Sequence, residues 1–102
     1  MSERLEKLHK LHAMDPSDPF CTYGIALEHA KAGQLNQALE WLDKTLAVDP
    51  HYCYAYFQKG KLLSEAGQEE QAREALRTGM SAALKAGDQH AHSEMSALLE
   101  SI

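Results

Sequence analysis

Cysteine is scarce in this chain of 102 residues, with only Cys21 and Cys53 present. The opening MSERLEKLHK carries charges where a secretory leader needs an apolar segment, so both thiols are expected to be reduced in a cytoplasmic protein. No apolar run approaches the length of a transmembrane helix, and no membrane partner is expected. Basic charge is also short. Ten Lys and Arg against fifteen Asp and Glu give a net charge of −5, leaving no uniform field to hold phosphates, so no nucleic-acid partner is expected.

Catalytic and metal-binding patterns are missing too. Nothing pairs a nucleophile with a base and an orienting group, and no glycine-rich phosphate loop is present. Six histidines invite a metal reading, and His9 and His12 stand at i, i+3. His90 and His92, at i, i+2, diverge on a helix. No CxxC or HExxH spacing accompanies either pair, so surface histidines are expected, with no metal, no cofactor and no enzymatic activity. Cys21 and Cys53 read as buried small thiols.

What the chain does have is a repeat. A hydrophobic fraction of 44% and a charged fraction of 25% are those of a globular protein, and the length admits one domain. Ala32-Gly33-Gln34 recurs as Ala66-Gly67-Gln68, 34 residues later. The same offset superposes Gln37 on Gln71, Ala38 on Ala72, Leu42 on Leu76, and Asp15-Pro16 on Asp49-Pro50.

Within each period the spacing is helical. Leu35, Ala38, Leu39, Leu42 and Leu46 fall on one helix face. Gly33, Gly67 and Gly87 close apolar runs where a helix C-terminus needs positive φ. Asp18 before Pro19 is an N-cap signal, and Asp88 offers another. The pattern predicts an all-α chain of about six helices near 2–14, 19–32, 35–48, 52–66, 69–86 and 88–101. HYCYAYFQKG, residues 51–60, alternates tyrosines like a half-buried strand, yet the offset maps it onto the start of the helix at Pro19. Helix is the reading that fits both.

A helix–turn–helix unit repeating every 34 residues resembles the tetratricopeptide repeat (TPR). The run Ala38-Leu-Glu-Trp-Leu-Asp-Lys-Thr-Leu-Ala-Val-Asp-Pro50 is similar to that family's second helix. Ala26, Gly60, Ala38 and Ala72 match its small contact positions. The resemblance implies antiparallel hairpins stacked as a short right-handed solenoid. It makes residues 1–102 a single TPR domain: a partial repeat at 1–18, repeats at 19–52 and 53–86, and a capping helix at 87–102. Lys59 departs from the pattern at a usually apolar slot, and Gly79 stands where alanine is usual.

The resemblance also implies a function. In this family the first helices of successive repeats line a concave groove that binds protein or peptide segments. The groove-facing positions here are Phe20, Tyr23, Leu27 and Ala30, then Tyr54, Phe57, Lys61 and Ser64, with Ala91 and Met95 from the last helix. The rings either anchor a partner or simply fill a narrow superhelix. Tyr56 takes the slot of the family's packing tryptophan, and Trp41 is expected to pack between hairpins. Some family members clamp a carboxylate with cationic residues; the matching positions here are Tyr23, Leu27, Gln58, Asp88 and His92, which hold no such array. The expected role is a small adaptor or assembly factor binding a partner segment. The alternative is a homo-oligomer formed through the apolar positions Leu5, Leu8, Leu11 and Met14.

Overall fold

A computed structural model describes residues 2–102 of the chain. Six helices follow one another: α1 Glu3–Met14, α2 Pro19–Lys31, α3 Leu35–Val48, α4 Cys53–Glu65, α5 Glu69–Ala86 and α6 Gln89–Glu100. No strand occurs among the described residues, and residues 53–65, which include most of the alternating tyrosine segment, are helical. The helices form two compact units, the first ending at Pro50 and the second running His51–Ile102.

Local chemistry sets the helix ends. Ser2 Oγ accepts a hydrogen bond from the Leu5 amide at 3.0 Å, Asp18 Oδ1 from Phe20 at 2.9 Å, and Asp88 Oδ1 from Ala91 at 3.0 Å. Pro19 begins α2, where its missing N–H would have had no helical partner. At the other ends Gly33 and Gly67 have φ of 75° and 81°, a region that disfavours a side chain. Each lets the next amide reach back five residues: Gln34 N to His29 O and Gln68 N to Leu63 O, both 2.9 Å. α2 and α4, each of 13 residues, therefore begin 34 positions apart, at Pro19 and Cys53.

In the first unit α2 packs on α3, and α1 lies against α2. Leu5, Leu8 and Ile25 form its core, with half-buried Trp41 packed on them from α3. Trp41 thus meets α1, where His9 and His12 present rings 5.4 and 5.2 Å from its own, both edge-on. Lys44 Nζ stands 4.0 Å from the centre of the indole. A polar pair is sealed between α2 and α3. Thr45 Oγ1 lies 2.8 Å from Thr22 Oγ1 and 2.9 Å from the Trp41 carbonyl, and Thr22 donates to the Pro19 carbonyl at 3.0 Å.

In the second unit α4 packs on α5, and α6 covers both. Leu76, Ala83, Ala91 and Met95 are completely buried, with Tyr54, Tyr56, Phe57, Leu98 and Leu99 around them. Burying a side chain such as Leu76 stabilises the fold by about 1.5–3 kcal/mol. Small residues set the helix spacing. A Cβ built on Gly60 would fall 2.6 Å from Leu76, and one on Gly79 would collide with Tyr56 Cβ and lie 2.5 Å from Met95 Sδ. Gly79 replaces the family's usual alanine because α5 meets both α4 and α6 at this point.

Candidate partner-binding surfaces

Each unit carries one of the two aromatic sets expected to meet a partner. On α2, Phe20, Tyr23 and Leu27 recur at i, i+3, i+7 and share a face, while Cys21, Thr22, Ile25 and Ala26 are buried on the other side. Phe20 is 61% exposed. Tyr23 and Leu27 are half-buried, as is Ala30. Phe20 also walls a cleft of about 410 Å³ between α1 and α2, lined further by Glu3, Arg4, Lys7, Leu8 and Leu11. Nothing in the apolar periodicity marks this cleft, because it depends on how α1 leans on α2.

On α4, Tyr54 and Phe57 stand with ring centres 6.3 Å apart and planes at 70°, an edge-to-face pair. Both are half-buried against the core, and Lys61, one turn further on, is exposed. Ser64 is half-buried. Burial, then the carboxylates of Glu94 and Asp88 on the α6 side, push the Tyr54 hydroxyl above its ordinary pKa. Glu94 Oε1 in turn meets His90 Nε2 at 2.6 Å.

The last helix departs from expectation. The family resemblance implies that Ala91 and Met95 face the groove, but both are completely buried in the second unit's core. α6 turns that face onto α4 and α5, so these two residues have no surface for a ligand. A second cleft, of about 400 Å³, opens between α4 and α5 beside Tyr56, Lys59, Leu63 and Glu74. Lys59, which departs from the family's pattern at a usually apolar slot, is one of its lining residues. Tyr56 packs against the core and also lines this cleft.

The two thiols use local acceptors: Cys21 Sγ lies 3.7 Å from Asp18 Oδ2, and Cys53 Sγ 3.3 Å from the His51 carbonyl. His9 and His12 direct their rings to Trp41. Among the described residues no group of three or more His, Cys, Asp or Glu side chains is placed to hold a metal ion. No helix among them is long and apolar enough to cross a membrane.

The family model for the tetratricopeptide repeat matches residues 41–74. A TPR repeat-containing protein of Pseudomonas aeruginosa is 30% identical over 80 residues, spanning 78% of this chain and 76% of that protein. The chain belongs to the TPR family.

Solved structures agree with the TPR assignment. A protein of Bordetella parapertussis superposes with a TM-score of 0.83 at 29% identity, covering 98% of this chain and 87% of its own. A TPR domain protein of Salinibacter ruber, solved by NMR, gives 0.79 at 30% identity, covering 85% and 88%. TPR domains generally serve as protein–protein interaction modules, and generally as scaffolds without catalytic activity. The fold alone leaves the partner open.

Proposed function

We propose that this TPR chain is a small adaptor or assembly factor that captures an extended or helical protein segment. The contact residues are Phe20, Tyr23 and Leu27 on α2 and Tyr54, Phe57 and Lys61 on α4. The repeat scheme of the sequence, with full repeats at 19–52 and 53–86, makes α2 and α4 equivalent first helices. The observation that carries the reading is the edge-to-face pair of Tyr54 and Phe57. Half-buried and fixed against the core, these rings lose little freedom when a partner covers them, and an exposed cation stands beside them. Phe20 offers a similar apolar surface in the first unit.

Co-purification from the source cell tests it. The double variant Tyr23→Glu/Phe57→Glu should lose a captured partner while keeping a helical circular-dichroism spectrum. Equal recovery of that partner by the folded double variant rejects the reading.

A further inference from the structure

Five large apolar side chains are exposed among the described residues, and three of them, Leu11, Met14 and Phe20, belong to the last turns of α1 and the first turn of α2. Leu11 is 48% and Met14 82% exposed. On α1 the positions Arg4, Lys7, Leu11 and Met14 follow i, i+3, i+7, i+10 and lie within one stripe. Leu5 and Leu8 are buried in the core, so only Leu11 and Met14 of the expected apolar face are exposed. The stripe is therefore cationic in its first half and apolar in its second. Phe20 and Leu11 wall the cleft between α1 and α2, with buried Leu8 at its floor.

The charges along this cleft favour one sign of ligand. Lys7 makes no ion pair among the described residues. Arg4 Nε reaches Glu28 at 3.6 Å, but that carboxylate also serves Lys31 at 3.6 Å and Ser2 at 3.3 Å. Glu3 is the one acid in the lining, and it sits in the first turn of α1, where the helix N-terminus already favours it. The lining thus carries two cations, Arg4 and Lys7, against one carboxylate, Glu3, on a chain of net charge −5.

From this geometry we infer that the α1–α2 cleft is a docking site for an acidic amphipathic segment of a partner protein. A leucine or aromatic side chain of that segment inserts between Leu11 and Phe20. Carboxylates on its flank pair with Lys7 and Arg4. The cleft volume of about 410 Å³ suits one or two such side chains. This site is built from α1 and α2 of the first unit, whereas Tyr54 and Phe57 belong to the second, and it shares only Phe20 with the surfaces proposed above.

The test is an amide NMR titration of the intact chain with two synthetic peptides. One is a short helical peptide carrying Leu and Phe one turn apart among glutamates; in the other every glutamate is lysine. The acidic peptide should shift amides of α1 and the start of α2, with an affinity that falls as salt is added. Lys7→Glu should weaken it by about tenfold and Leu11→Ser by a similar factor. Tyr54→Ala/Phe57→Ala should leave it unchanged, which separates this site from the proposed function. Equal binding of the lysine peptide would overturn the inference. So would shifts confined to α4–α6, or none at about 1 mM peptide. Concentration-dependent broadening without peptide, abolished by Leu11→Ser, would assign the patch to a second copy of the chain and likewise overturn it.

Discussion

Thr45 and Thr22 hold α3 to α2 through a buried hydroxyl contact of 2.8 Å, and neither side chain reaches water. The single proton on Thr45 is shared between Thr22 Oγ1 and the Trp41 carbonyl, while Thr22 spends its own on Pro19. Every buried oxygen in the chain of contacts is thereby occupied.

Replacing one partner leaves the other short of a bond. Thr45→Val and Thr22→Val should each lower stability by about 1 kcal/mol. The double variant removes the polar pair altogether and should cost clearly less than the sum of the singles. Urea unfolding of the four proteins measures the coupling; strict additivity would mean the contact contributes nothing specific.

Gly79→Ala sets a propensity gain against a collision. Alanine favours a helix interior over glycine by about 1 kcal/mol. The new methyl group would nevertheless meet Tyr56 Cβ, an atom fixed to the α4 backbone, so α4 and α5 must separate. A net loss of about 1–3 kcal/mol is expected. Gly24→Ala is the control, because its Cβ would meet only the flexible tip of Leu8 at 3.1 and 3.2 Å. That variant should stay within about 1 kcal/mol of the parent. Thermal melts that ranked the two in the reverse order would contradict this packing account.

His9 makes the first unit sensitive to acid. Burial first, then the charges of His29 on α2, His12 on α1 and Lys44 on α3, hold its pKa below the ordinary value of about 6.5. The unfolded chain therefore takes up the proton first. Stability from this residue is complete above about pH 6.5 and is lost as the pH falls through the depressed folded value. Urea midpoints should drop between about pH 7.5 and 5.5, and the drop should shrink in His9→Gln. A parent and variant with the same pH slope would remove His9 from the explanation.

Cys21 should be a slow nucleophile. Burial, then Asp18, which repels a thiolate and also accepts the S–H at 3.7 Å, raise its pKa above the ordinary value. In a Cys53→Ser background, alkylation of the native chain at neutral pH should run at least about tenfold slower than in denaturant. Asp18→Asn should speed it. Comparable rates in the folded and unfolded chain would show that the thiol is open to solvent.

Much of the architecture was legible because it is written in local backbone chemistry. Asp18-Pro19, Asp88 and the glycines at 33, 67 and 87 start or stop helices without help from distant residues, and the helix limits fall where they indicate. The 34-residue offset then identified the family. Tertiary facts were less accessible. Thr22 and Thr45 are polar by composition and invisible to an apolar count, although both lie inside the first unit. Their place in the repeat puts Ala91 and Met95 on a surface, yet α6 packs that face onto α4 and α5 and buries them. The α1–α2 cleft likewise arises from tertiary packing, and Arg4, Lys7 and Leu11 carry no mark of it in the sequence.

The contact between Trp41 and α1 has an optical consequence. Trp41 is the only tryptophan in the chain and belongs to the first unit. Selective excitation of its indole therefore reads out the packing of α1, α2 and α3, whereas backbone ellipticity averages all six helices. Two unfolding curves from one unlabelled sample then measure whether the halves melt as one cooperative body or in sequence.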